Sequence, residues 1–185
     1  MIYPVVVYGH PVLRKEAEDF MPDEKEGFQQ LIDDMFETMY KAEGIGLAGP
    51  QIGLSKRIFV IDATPLGKDM PELADFKKVF INAHIVERDG DKVSDSEGCL
   101  SLPGISEDVG RLSRIRIQYV DAEFTEHDEV YEGWAARVIQ HEYDHIDGIL
   151  FVDHLAPLKK RLLKGKLNAI SKGKVDVSYR IKLPR

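Results

Sequence analysis

The chain has 185 residues, 43% hydrophobic and 31% charged, with a net charge of −7, a balance that suits one globular core and excludes a disordered or fibrous chain. No apolar stretch reaches bilayer-spanning length and Met1 to His10 lacks the basic start of a signal peptide. The single cysteine, Cys99, excludes an internal disulfide and suits a reducing compartment, so the expectation is one cytoplasmic domain over 1–185 with no membrane and no DNA partner.

Gly9-His10-Pro11 reads as a turn and Pro22-Asp23 as a helix start. Phe28, Leu31, Ile32, Met35, Phe36 and Met39 then recur at helical spacing, predicting an amphipathic helix that ends near Gly44. The next stretch, Gly44-Ile45-Gly46-Leu47-Ala48-Gly49, has the form of a dinucleotide fingerprint, but that fingerprint needs a strand before it and a helix after it. Here a helix precedes and Pro50 follows. The glycines are read instead as bare backbone that approaches a ligand closely, with the Gln51 amide beside it as a hydrogen-bond donor.

Arg57 to Asp62 reads as a strand, Thr64 to Phe76 as an irregular loop, and Val79 to Glu87 as a second strand closed by the turn signal Asp89-Gly90. Val93 to Ser96 leads into Glu97-Gly98-Cys99-Leu100-Ser101. Ile115, Ile117 and Tyr119 alternate as a third strand, and Phe124 to Val130 is read as extending that sheet. Trp134, Val138, Ile139 and Ile146 mark the apolar side of a helix that stops at Gly148. A helix is predicted from Pro157 to about Ile170 and a last strand over Val175, Val177, Tyr179 and Ile181. The fold class expected is α+β, with mixed or antiparallel sheets around a central helix, an N-terminal amphipathic helix and a C-terminal helix.

That central helix carries His141-Glu142-Tyr143-Asp144-His145. Residues i and i+4 lie one above the other on a helix, so His141 and His145 offer two imidazoles to one metal, and Glu142 sits where a general base would. A bare HExxH can equally be a solvated polar face. Proteases of this kind take a third ligand downstream, but Phe151 stands where a histidine would fall and no glutamate follows Glu142. Cys99 is the better third ligand, since a thiolate with two imidazoles leaves a fourth, open position; its alternative is a small buried hydrophobe.

In order and content, Gly44-Ile45-Gly46-Leu47-Ala48-Gly49-Pro50-Gln51, Glu97-Gly98-Cys99-Leu100-Ser101 and His141-Glu142-Tyr143-Asp144-His145 resemble the three signature motifs of peptide deformylases. The start Tyr8-Gly9-His10-Pro11-Val12-Leu13-Arg14 is similar too. One departure is Gly49, where the family usually has alanine, and it is expected to loosen the loop slightly. The resemblance implies a hydrolase that removes the N-formyl group from formyl-methionyl nascent peptides and releases formate. It implies one divalent metal on Cys99, His141 and His145, Fe2+ in the cell with Zn2+, Ni2+ or Co2+ accepted in vitro. Glu142 would move the proton, and Gln51 with the Leu100 N–H would hold the oxyanion. Gly44, Ile45 and Gly46 would bind the peptide, and Ile45, Trp134 and Val138 the methionine side chain. Arg137 is read as shaping the rim of that pocket or facing solvent, and Glu97 as pairing with Arg111 behind the metal ligands.

Residues 157–185 carry ten Lys or Arg against one acid, Asp176. Such a run is most often a solvated helix face; on a deformylase it also fits contact with the ribosome. The competing functions are an HExxH endopeptidase, weakened by the missing downstream ligand, and a structural metal site or peptide-binding module, in which Glu142 would have no task.

Overall fold

The structure is a computed structural model describing residues 1–185. Helix α1 spans Phe28–Lys41 and buries Phe28, Ile32, Met35, Phe36 and Met39, the stripe set by its spacing. Pro22–Gly27 is 3-10 rather than α-helical and buries nothing, since no apolar face holds it against the core. The helix ends with Glu43 at φ 59°, and Gly44 N–H reaches back to the Met39 carbonyl at 3.0 Å. This left-handed stop turns the chain straight into the glycine-rich stretch.

The main sheet is antiparallel, in the order β2 (Gly46–Ala48), β3 (Ile58–Asp62), β4 (Lys77–Gly98), β5 (Ser106–Val120), β6 (Glu126–Glu132). All of β3 is buried because both its faces are covered. Phe59 and Ile61 pack with Ala136, Ile139, Tyr143 and Ile146 of helix α2 (Gly133–Ile146), whereas Ile58 and Val60 pack with Phe28, Met35 and Met39 of α1. The period of two along the strand therefore sorts its side chains between two helices. Each fully buried Phe or Ile contributes roughly 1.5–3 kcal/mol.

Strand β4 is far longer than the segment expected at Val79 to Glu87. Asp89-Gly90 does not turn the chain: Asp89 pairs with Arg114, the register shifts, and the ladder resumes at Lys92 opposite Leu112. Gly90 sits at φ 80°, where an added Cβ would lie 2.3 Å from Ser113 Oγ. A left-handed glycine serves a bulge as well as a hairpin, and here the cross-strand partner selects the bulge. Likewise Phe124, at φ 64°, belongs to the turn before β6 and not to the strand.

Helix α3 (Pro157–Ser171) packs Leu163, Leu167 and Ile170 against Val7, Leu102, Ile105, Leu150 and Phe151. Of the predicted last strand only β7 (Ile181–Lys182) forms a ladder, parallel to β1 (Val5–Val6). The pairing stops there because β1 is two residues long and runs into a turn with Gly9 at φ 98°. Residues 174–180 therefore pass the loop of the second motif, at Leu100, without strand partners of their own.

Candidate metal centre and substrate cleft

Two imidazoles and one thiol converge where α2 passes the end of β4. The His141 and His145 rings stand 5.3 Å apart by centroid and 74° to each other, one helical turn apart. Cys99 follows β4 on a turn closed by Leu102 N–H to the Cys99 carbonyl at 3.0 Å. One potential ligand atom from each of the three residues lies within 4.8 Å of the others. Metal bonds of about 2.3 Å to sulfur and about 2.0 Å to nitrogen at a tetrahedral angle place those atoms about 3.5 Å apart; Cys99 Sγ and His145 Nε2 are 3.4 Å apart. The donor set fits a divalent metal.

The electrostatics agree with that fit. Burial pushes the Cys99 thiol up, but His145 and His141 outweigh it and hold it down to about 5, so the thiolate is the form at neutral pH. Burial also opposes ionisation of Glu97, yet its hydrogen bonds to His141 and Arg111 keep its carboxyl well below the usual range. An ionised carboxylate only accepts hydrogen bonds. The contact of 2.8 Å between Glu97 Oε1 and His141 Nδ1 therefore places a proton on Nδ1 and leaves Nε2 as the atom for a metal. Burial opposes the imidazolium, but Cys99 and Glu97 hold His141 well above its ordinary value, so a metal binding at Nε2 would displace a proton.

Glu97 is the hub beneath that imidazole. Arg111 grips it with Nε at 2.7 Å and Nη2 at 2.9 Å, and turns Nη1 to Asp144 at 2.9 Å. Arg137 Nη1 donates to Glu97 at 2.6 Å and to the Val109 carbonyl at 2.9 Å, and Nη2 to the Val93 carbonyl at 2.6 Å. Arg137 is thus buried against Glu97 instead of facing solvent. Asp144, inside the same helical motif, is occupied by Arg111 and by His154 Nε2 at 2.8 Å. Phe151, in the place of a downstream histidine, is buried with its ring 5.9 Å from that of His141 at 28°.

Glu142 follows His141 and turns toward β2. Burial raises its carboxyl, and its Oε2, at 4% residue exposure, has no hydrogen-bond partner. An added Cβ on Gly46 would fall 2.7 Å from Glu142 Oε1, so only glycine leaves room for the carboxylate here. An unpartnered buried carboxylate oxygen beside three metal-type ligands is costly unless something bearing a proton visits it.

Gln51 is fixed by accepting Ala48 N–H on Oε1 at 3.0 Å, which aims Nε2 at Cys99 Sγ, 3.4 Å away, and at Ser101 Oγ, 3.2 Å away. Gly49 does not loosen this loop: a Cβ there would lie 2.8 Å from the Lys56 carbonyl and 2.9 Å from that of Leu54. Glycine lets the following turn pack closer. The Leu100 N–H donates to no protein acceptor.

These groups open on a cleft of about 690 Å³. It is lined by every residue singled out from the sequence as ligand, catalytic or substrate-binding except His145, which lies beneath it and is buried. Val177 and Tyr179 line it too, and neither was placed at the site from the sequence; Ser101, part of the second motif but given no role there, touches Gln51. The alternation from Val175 to Ile181 pointed only to a strand, and nothing local marks where an extended tail will lie.

The family model for polypeptide deformylase matches residues 2–161. The peptide deformylase of Cytophaga hutchinsonii is 53% identical over 186 residues, covering 100% of this chain and 98% of its own. That of Christiangramia forsetii is 50% identical, covering 100% of this chain and 97% of its own. The crystal structure of peptide deformylase from Thermus thermophilus superimposes with a TM-score of 0.82 at 42% identity, over 94% of this chain and 99% of that one. Sequence, fold and the convergence of thiol, imidazoles and carboxylate agree, and the chain belongs to the polypeptide deformylases, metal-dependent hydrolases that remove the N-formyl group from nascent polypeptides.

Proposed function

We propose that Cys99, His141 and His145 hold one divalent metal and that Glu142 moves the protons of deformylation. The observation that carries this reading is the Glu142 carboxylate, buried, unpartnered at Oε2 and given room by Gly46. A divalent metal bound there supplies a water whose pKa is lowered toward about 7 and polarises the formyl carbonyl. Glu142 accepts the proton of the attacking water and delivers one to the departing amine nitrogen, so the carboxylate is regenerated each turnover. Gln51 Nε2 and the Leu100 N–H donate to the formyl oxygen as it gains negative charge, and neither must reorganise to do so.

The backbone of Gly44 to Gly46 holds the peptide in extended form, and Ile45, Trp134 and Val138 receive the methionine side chain. Glu97 and Arg137 act through His141 and not on the substrate: their polar atoms are engaged with each other, with Arg111 and with backbone carbonyls. The working metal in the cell is Fe2+, and the whole chain acts as one catalytic domain in the cytoplasm. The basic segment at 157–185, in which Lys160, Arg161 and Lys164 of α3 line a surface cavity with Arg14, docks on the phosphate-rich ribosome.

The test is anaerobic purification with metal analysis, then formate release from formyl-Met-Ala-Ser by wild type and Glu142→Ala. Formate release lost by about 100-fold or more in the variant, with one metal per chain retained, is the expected result. Cleavage of an internal peptide bond without formate would move the assignment to an endopeptidase.

A further inference from the structure

Ser101 closes the second motif and is wholly buried, at 0% exposure, with its Oγ 3.2 Å from Gln51 Nε2. Ala48 N–H donates to Gln51 Oε1 at 3.0 Å, which settles which end of that amide is oxygen. The nitrogen therefore faces Ser101, and because Nε2 has only hydrogens to offer, the serine oxygen accepts the bond. One hydrogen of Nε2 is committed in this way. The planarity of the amide then sends the other to the side of Cys99 Sγ, 3.4 Å away, where the thiol and imidazoles converge.

The two anchors of Gln51 constrain different things. A carbonyl oxygen accepts over a broad range of directions, whereas an N–H bond weakens steeply once bent below about 120°. The Ala48 contact therefore sets where the amide lies and leaves the turn of its plane loose; the Ser101 contact sets that turn. Ser101 is itself held by groups outside the site. The Leu100 carbonyl, in the peptide before the Ser101 Cα, accepts the Tyr179 hydroxyl at 2.8 Å, and the Ser101 carbonyl, in the peptide after it, accepts Tyr8 N–H at 3.0 Å. Tyr8 follows β1 and Tyr179 precedes β7, and the parallel pairing of those strands joins the two ends of the chain. Both dihedrals of Ser101 are thus fixed without its hydroxyl, so taking the hydroxyl away leaves the loop in place.

We infer that Ser101 is a positioning residue: its Oγ turns the Gln51 amide so that the remaining Nε2 hydrogen points at the formyl oxygen as that oxygen gains charge. This rests on the oxyanion role given above to Gln51. A donor aimed at developing charge must be held within about 0.5 Å and 10–20° of its working direction. With the serine hydroxyl gone, Nε2 keeps both hydrogens, but nothing fixes the turn of the amide plane. The donor is misdirected rather than deleted.

The experiment compares wild type, Ser101→Ala, Gln51→Leu and the double variant, each loaded with the same metal, in formate release from formyl-Met-Ala-Ser, with a thermal melt and metal analysis to check fold and occupancy. The expected result for Ser101→Ala is a fall in kcat of about 10-fold, below the roughly 100-fold to 1000-fold that follows loss of the donor in Gln51→Leu, with KM and metal content unchanged. In the Gln51→Leu background the serine change should cost nothing more, because both residues act through one amide. Relaxation of the 15N-labelled Gln51 side-chain amide in zinc-loaded protein, its signal identified by its absence from Gln51→Leu, reads the turn directly: ordered in wild type, mobile in Ser101→Ala. A serine that only packs the loop would lower kcat equally in both backgrounds and leave the amide ordered. That result, wild-type kcat in Ser101→Ala, or a loss confined to KM or to bound metal overturns the inference, while a slow Gln51→Leu leaves the oxyanion assignment standing. A Gln51 amide already mobile in wild type overturns the inference without any variant. Wild-type kcat in Gln51→Leu overturns that assignment and this inference together.

Discussion

Two neighbouring stretches of the β4–β5 ladder carry the same chemistry in different surroundings. Beside Cys99, His141 and His145, Arg111 pairs with Glu97 at 2.7 Å and with Asp144 at 2.9 Å, and each of these side chains is at most 5% exposed. Three and five residues further along β5, Arg114 pairs with Asp89 at 2.8 Å and Arg116 with Asp128 at 2.7 Å, where exposure runs from 33% to 54%. Distance does not separate the two groups. Burial does, because water and salt screen the outer pairs while the inner ones have lost their hydration and depend on one another. The inner network need not add net stability over an apolar core; its work is to hold Glu97 against His141, and an incomplete version of it would strand a charge.

The largest effect is expected from Arg111→Met. It leaves Asp144 with His154 and Glu97 with Arg137 and His141, and removing one member of a buried ion pair typically costs about 3–5 kcal/mol. Urea unfolding of the metal-loaded protein measures it, and a loss near that of an exposed pair would dissolve the distinction. The same variant has a pH signature. Glu97 and Asp144 are opposed by burial but held below their ordinary range, Glu97 by His141 and Arg111, Asp144 by His154 and Arg111. Folded carboxyls depressed in this way contribute stability that is present above their unfolded pKa of about 4 and lost as pH falls toward the folded value. Wild type should therefore lose stability steeply below about pH 4, and Arg111→Met less steeply.

Next in size is Glu97→Gln, which keeps the shape but removes the charge that receives the His141 proton. Loss of a partner behind a metal-bound imidazole lowers metal affinity by about 10–100-fold, read by competition with a chelator. Affinity equal to wild type would show that the network supports the fold without reaching the metal.

Legibility from sequence followed the same division between local and distant causes. The i, i+4 spacing of His141 and His145 and the apolar stripe of α1 are properties of one helix turn, so they were readable residue by residue. The pairing of Glu97 with Arg111 was suggested only beside the family resemblance, while the second arginine, Arg137, and Asp144 were not linked to it, because they come from a helix whose rotation against β5 no local pattern encodes. Asp89-Gly90 misled for a physical reason: the same left-handed glycine serves a hairpin and a bulge, and the choice belongs to Ser113 and Arg114 across the ladder. Tyr179 was invisible as a cleft residue because its position is set by β1, at the other end of the chain.

The smallest effect is expected from Arg116→Met, and it is the sharpest control. Arg116 makes as many charged contacts as Arg111: Nε and Nη2 to Asp128 at 2.8 and 2.7 Å and Nη1 to Glu87 at 3.1 Å. A tally of hydrogen bonds would rank it an equal. Its carboxylate partners, however, are 40% and 48% exposed, so on its removal they are rehydrated instead of stranded. The expected outcome is an unfolding midpoint within repeat scatter of wild type at an ionic strength of about 0.15 M, where screening acts over about 8 Å, and at most a small decrease at about 0.01 M, where it acts over about 30 Å. Metal affinity should not move. A destabilisation matching that of Arg111→Met would mean that strand β6, which meets β5 through Arg116 and Asp128, depends on its ion pairs as the buried network around Glu97 does, and that burial is not what separates the two groups.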